Sequence, residues 1–123
     1  MKLQELLKQQ KLYLNPDLNL KMMINLLGTN KKYLYQAIAG HGEENFRQMI
    51  NRFRVDEARR IIEENIEKNM PLDNETIFPA SGFNSAVSFY RAFKFHTGLT
   101  PQEYASETRK ELKKNKKQAA TSD

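Results

Sequence analysis

With 123 residues, 39% of them hydrophobic, the chain has the length of one domain, and 20 Lys and Arg against 15 Asp and Glu give a formal charge of +5. It contains no cysteine, which excludes a disulfide framework, a thiolate nucleophile and a Cys-ligated metal, and fits a reducing, cytoplasmic setting. No apolar run approaches the ~20 residues of a bilayer span, and polar residues interrupt Met1 to Gln10 where a signal peptide would be apolar.

In chain order, the hydrophobic spacing predicts helices throughout. Leu3, Leu6, Leu7, Gln10 and Leu14 recur at helical intervals, predicting a first helix that reaches the break at Asn15-Pro16-Asp17. Residues 20 to 27 form a short apolar helix, with Asp17 or Asn19 near its cap and Gly28 in the left-handed position that ends many helices. Asn30 can cap a third helix from Lys31 to about Ala39, stopped by Gly40 and Gly42. From about Asn45 the spacing Phe46, Met49, Ile50, Phe53, Ala58, Ile61, Ile62 and Ile66 predicts one apolar face on a long helix that lasts until Pro71. Asp73 or Asn74 starts a brief helix closed by Gly82, and Ser85 caps another that runs through Lys94 or Phe95 to a stop at Gly98. Thr100-Pro101-Gln102-Glu103 combines an N-cap threonine, a proline at the first helical position and a glutamate at the third, the pattern of a capping box. The expected fold is all-α with about seven helices. It divides into a first helix-turn-helix subdomain (1–44), a connector helix (45–70), a second helix-turn-helix subdomain (71–107) and a basic, disordered tail (108–123).

The distribution of charge says more than its sum. Residues 109–123 carry +4, so residues 1–108, with 14 basic and 13 acidic groups, carry only +1. No Asp or Glu occurs from 18 to 42 or from 76 to 102, whereas 43–75 holds nine acids and six bases. Two acid-free windows flanking an acidic-leaning connector fit either an ordinary solvated surface or, if both windows share a fold, two surfaces that face one polyanion.

The two windows also match each other in sequence. At an offset of 55, Asn30 pairs with Ser85, Leu34 with Phe89, Tyr35 with Tyr90, Ala37 with Ala92, Ile38 with Phe93 and His41 with His96. Cap, buried positions and exit coincide, as two helix-turn-helix units require. A connector of about 20 to 25 residues is roughly 30 to 37 Å long, close to the ~34 Å between successive major-groove openings on one face of B-DNA.

Several of these segments resemble a known family. Asn30-Lys-Lys-Tyr-Leu34, Asn45-Phe46 and Ile50-Asn-Arg-Phe-Arg-Val-Asp-Glu-Ala58 are followed by Ser81-Gly-Phe-Asn-Ser85, Ser88-Phe-Tyr-Arg-Ala-Phe-Lys94 and Thr97-Gly-Leu-Thr-Pro-Gln-Glu-Tyr104. Together they resemble the AraC/XylS-type DNA-binding domain over about residues 10 to 107. The resemblance implies a seven-helix transcription-regulator domain that reads double-stranded promoter or operator DNA through two major-groove helices. Lys31, Lys32, Tyr35 and Gln36, and in the second unit Ala86, Val87, Tyr90 and Arg91, match the positions at which that family reaches bases. Gln36 can pair bidentately with adenine, Lys31 or Lys32 with guanine or phosphate, and Arg91 with guanine, while Ala86 and Val87 can meet thymine methyls. Asn30, Asn84, Ser85, Lys94, Thr100 and Gln102 are the candidate phosphate contacts. Leu34, Ile38, Phe83, Phe89 and Phe93 are expected in the core. The pattern departs from the family at Ile77-Phe78, where Ile-Ala is usual, and at Pro79; a bulky Phe78 would spread the helix pair or be redirected, and Pro79 would shorten the helix.

No cofactor or metal is expected, and no enzyme. His41 and His96 are the only histidines, each at a helix exit, and the sequence has no His-x-x-x-His pair, Gly-rich phosphate loop or nucleophile elbow. The chain is too short to hold the ligand-sensing domain most such regulators carry, so a stand-alone regulator and a C-terminal piece of a larger sensor are both open. A sensor domain outside this chain and RNA polymerase are further candidate partners, and no membrane contact is expected. The alternative reading is a degenerate helix-turn-helix pair serving protein–protein contact.

Overall fold

The computed structural model describes residues 2–38 and 43–121, and among them every regular element is helical. The helices are α1 (Lys2–Gln10), α2 (Leu20–Leu27), α3 (Lys31–Ala37), α4 (Glu43–Glu67), α5 (Asn74–Ala80), α6 (Ala86–Thr97) and α7 (Pro101–Thr121), with a 3₁₀ turn at Leu12–Leu14. The expected all-α class with about seven helices is therefore what the described residues adopt. The stops that Gly40 and Gly42 were expected to supply, and His41, lie outside the described residues.

Most helix starts follow from side-chain caps. Asn19 accepts from the Met22 N–H at 2.9 Å, Asn30 from the Tyr33 N–H at 3.0 Å, Asp73 from the Glu75 N–H at 3.1 Å and Ser85 from the Ser88 N–H at 3.1 Å. Each satisfies a donor that the first helical turn leaves without a partner. Thr100 and Glu103 close the expected capping box reciprocally, at 3.1 and 2.8 Å. The Thr100 N–H holds the Glu103 carboxyl below the usual carboxylate range.

Two expectations are corrected at the ends of the chain. The first helix does not reach Leu14: Lys11 takes a left-handed conformation at φ 52°, and the chain tightens into the 3₁₀ turn. The break accompanies burial of Tyr13, whose ring stacks on Phe53 at 5.6 Å. The tail expected to be disordered from 108 onward instead continues α7 to Thr121. Leu112 still packs against the second core, and the Lys, Glu, Gln and Ala residues around it are strong helix formers.

The connector also departs from the single apolar face expected of it. Phe46, Met49, Ile50 and Phe53 belong to a first core with Leu3, Leu7, Tyr13, Met23, Leu34 and Ile38. Val55, Ala58, Ile62 and Ile66 belong to a second, with Ile77, Phe83, Phe89, Ala92, Phe93 and Ala105. At 3.6 residues per turn, these two quartets point to nearly opposite sides of α4. A helix with one unit packed on each side must be apolar on both, and the change of side falls at Arg54.

In the second unit, Pro79 sits in the last turn of a seven-residue α5, as short as expected. Phe78 is half-buried and packs its ring 6.4 Å from that of Phe89, so its bulk is taken up as a contact at the edge of the core.

Candidate nucleic-acid interface

The helices α3 and α6 present comparable outward faces. In α3, Leu34 is buried and Lys31, Lys32, Tyr33 and Gln36 are exposed, with Tyr35 half-buried. The Lys31 ammonium lies 5.5 Å from the Tyr35 ring centroid, which ties this lysine to the flank of the helix. By helical geometry Lys32 and Gln36 stand opposite Leu34, at the centre of the face. In α6, Phe89, Ala92 and Phe93 are buried while Val87, Ser88, Arg91, Lys94 and Phe95 are exposed. Val87 and Arg91 occupy the centre there, at the positions equivalent to Lys32 and Gln36.

The structure separates the remaining expected residues. Ala86 is half-buried at the start of α6. The Tyr90 phenol oxygen accepts from the Asn74 amide at 2.7 Å and from the Gln102 amide at 2.6 Å. It therefore joins the starts of α5 and α7 on one flank of α6, with its own O–H proton still able to donate. Ser85 is occupied as a cap but keeps hydrogen-bonding capacity, Asn84 is exposed beside it, and Lys94 is exposed one turn beyond Arg91. The Thr100 N–H is already taken by the Glu103 carboxylate, which leaves that helix start the least attractive to an anion.

Five residues escaped the reading of the sequence. Tyr33 (65% exposed) and Phe95 (67% exposed) are large side chains facing solvent on or beside the two helices, and Ser88 lies next to Arg91 on the outward face. The offset of 55 pairs Tyr33 with Ser88, a signal that was available. The other two, Arg47 and Asn51, come from α4. With Asn19, Arg54, Asn84 and Ser88 they supply the polar lining of a cleft of about 380 Å³ between the start of α2 and the start of α6. A neighbouring depression of about 420 Å³ runs along α6 past Arg91 and His96 and shares Arg47, Asn51 and Ser88. Neither is lined by a carboxylate. A third depression, between α1 and α4, has Glu5, Asp56 and Glu57 among its lining with Lys8, Arg52 and Arg60.

The acids of the connector are thus segregated. From 45 to 55, α4 has no Asp or Glu and carries Arg47, Arg52 and Arg54. Further along, Glu57 and Glu64 bind Arg60 at 2.6 Å each, and Glu64 also binds Lys68 at 2.8 Å, so these carboxylates are largely neutralised by their own helix. His96, beside the α4 surface, is held below its ordinary value of 6.5 by burial and by the Arg52 charge. Among the described residues no three His, Asp or Glu side chains gather as a metal site requires, and no described helix is long and apolar enough to cross a membrane.

Comparison with protein families matches residues 23–107, well over half of the chain, to a family described as a helix-turn-helix domain. No curated protein and no solved structure matches the chain. The matched segment runs from α2 into α7 and contains both helix pairs with the connector between them. The chain belongs to the AraC-type helix-turn-helix family of DNA-binding transcription regulators.

Proposed function

We propose that this chain binds double-stranded DNA sequence-specifically by placing α3 and α6 in adjacent major-groove segments, and that it regulates transcription from the sites it reads. The observation that carries the reading is the pairing of two outward helix faces, centred on Lys32 and Gln36 and on Val87 and Arg91. A 25-residue connector, about 37 Å long at 1.5 Å per residue, lies between them. Gln36 reads adenine, Lys31 and Lys32 take guanine or phosphate, and Arg91 takes guanine. Ala86 and Val87 meet thymine methyls, with Tyr35 and Tyr90 at the flanks. Asn30, Asn84, Ser85, Lys94 and Gln102 hold phosphates, the Thr100 N–H being already committed to Glu103, and Arg47 adds one from the acid-free half of α4. In this role the chain works in the cytoplasm, with RNA polymerase and a sensor domain outside residues 1–123 as further partners.

Binding to a preferred duplex should weaken with salt at a log–log slope of about −0.9 per phosphate contact. Arg91→Ala and Gln36→Ala should each relax discrimination at one base pair by about 1–3 kcal/mol. Lys94→Ala and Arg47→Ala should weaken all sequences alike. Equal, sequence-independent losses from all four would overturn the assignment of roles. The exposed Phe95 and Val87 favour a second reading, a protein-contact surface, which would be selected by salt-insensitive binding to a protein together with no affinity for duplex DNA.

A further inference from the structure

Besides sharing α4, the two units meet each other where that helix changes its apolar side. Phe53 is the last α4 side chain packed in the first core and Val55 the first in the second. Between them Arg54 is 9% exposed. Its Nε donates to the Tyr13 carbonyl at 2.7 Å and its Nη2 to the Asn15 carbonyl at 2.8 Å, both in the first unit just ahead of α2. Its Cζ lies 5.9 Å from the ring centroid of Phe83, in the turn of the second unit. Gly82, in that turn, has φ +97°. A Cβ built there would overlap the Tyr13 carbonyl oxygen and stand 3.0 Å from the Leu14 Cα and 3.1 Å from the Arg54 Nε.

We propose that Arg54, seated against Gly82, fixes the orientation of one helix-turn-helix unit relative to the other and so sets the spacing between the two base-pair stretches that the chain reads. Arg54 is a positioning residue in this account, since α3 and α6 carry the contacts to bases. The physical reason is triangulation. Each core fastens one unit to one side of α4, so direct contacts between the units must resist small rotations about that helix. A planar guanidinium holding two carbonyls of one unit while lying on a ring of the other opposes them, because its donors have fixed directions. The spacing part rests on the DNA reading above; the orientation part does not.

The chain has no cysteine, so spin labels at Tyr33→Cys and Val87→Cys, both on exposed positions, report the distance between α3 and α6 in free protein by pulsed electron resonance. The parent should give one narrow distribution. Arg54→Met, which keeps the stem and loses both hydrogen bonds, should broaden or shift it, and Arg54→Lys should fall between. Should Arg54→Met fail to fold, Arg54→Lys carries the comparison. An unchanged distribution in a folded variant overturns the proposal and makes Arg54 a local cap of two carbonyls. In a second arm, one base pair is inserted between the two half-sites of a duplex bound by the unlabelled parent, which advances the second half-site by about 3.4 Å and ~34°. The parent should lose about tenfold in affinity and Arg54→Lys only about twofold, on the scale of one mismatched base pair; equal losses overturn the spacing role. Absence of any sequence-specific duplex binding by the parent would fail the DNA reading alone, with the distance arm still deciding the orientation.

Discussion

In the second helix-turn-helix unit, the rings of Phe78, Phe83, Phe89, Phe93 and Tyr104 form a run of tilted and edge-on contacts, from the Phe78–Phe89 pair at 6.4 Å to the Phe93–Tyr104 pair at 5.4 Å. The first unit is built mainly on Leu, Met and Ile side chains, with Phe46 among them and one stacked pair, Tyr13 on Phe53. The helices differ accordingly. α6 has 12 residues, a serine cap and a left-handed Gly98 whose N–H donates to the Lys94 carbonyl at 2.8 Å, whereas α3 has seven residues. Aromatic pairs add directional preference to area burial, and a seven-residue helix has little cooperative support of its own. One plan is thus realised twice with different stiffness: α6 is held by its core, and α3 leans on its cap and on α2.

The largest effects should come from the two cores. Phe89 and Leu34 are both nearly fully buried, and Phe89→Ala should cost about 3–5 kcal/mol and Leu34→Ala about 2–5 kcal/mol in urea unfolding followed by circular dichroism. Native-state hydrogen exchange should show Leu34→Ala opening α3 alone while α6 stays protected. Equal acceleration along the whole chain in both variants would contradict a difference in stiffness between the two units. A smaller effect is expected at the caps. Asn30→Ala and Ser85→Ala each remove one bond to a helix start, worth about 1 kcal/mol. The loss at Asn30 should lower the helicity of α3 measurably by NMR chemical shifts, and that at Ser85 should leave α6 intact.

The smallest effect is a pH dependence. Burial and the Arg52 charge hold the folded His96 below 6.5, so the folded state binds this proton less readily than the unfolded chain. The urea midpoint should therefore be flat above about pH 6.5 in this respect and fall as pH drops below it, levelling once the folded imidazole is itself protonated. Glu103 and Glu64, held below 4.5 by the Thr100 N–H and by Lys68 respectively, lose their contributions only at lower pH. His96→Asn should abolish the slope near pH 6; an unchanged slope would assign it to another group.

Much of this architecture is written locally, and what was legible follows from that. Asn19, Asn30, Ser85 and the Thr100–Glu103 box announce helix starts because capping involves neighbouring residues only, and the core positions of α3 and α6 follow from periodicity. The two sides of α4 were not legible. Phe46 through Ile66 satisfies a helical pattern whichever unit each residue faces, and only tertiary packing divides the pattern at Arg54. The contribution of Arg47 and Asn51 was hidden for a related reason: the acids of 43–75 dominate that window's composition although they flank or follow the acid-free stretch. Tyr90 read as a base contact from its place in the motif, but its bonds to Asn74 and Gln102 join segments 16 and 12 residues away, which no local pattern reports.

Whether α3 and α6 each read their own base pairs can be decided by selecting binding sites from a random duplex library at two salt concentrations, followed by methylation interference. Two enriched blocks should appear, with centres about one helical turn, ~10 base pairs, apart. One block should lose definition in Gln36→Ala and the other in Arg91→Ala, with the preferences unchanged by salt. A single enriched block sensitive to only one of these substitutions, or no enrichment at either salt concentration, would contradict reading by both helices.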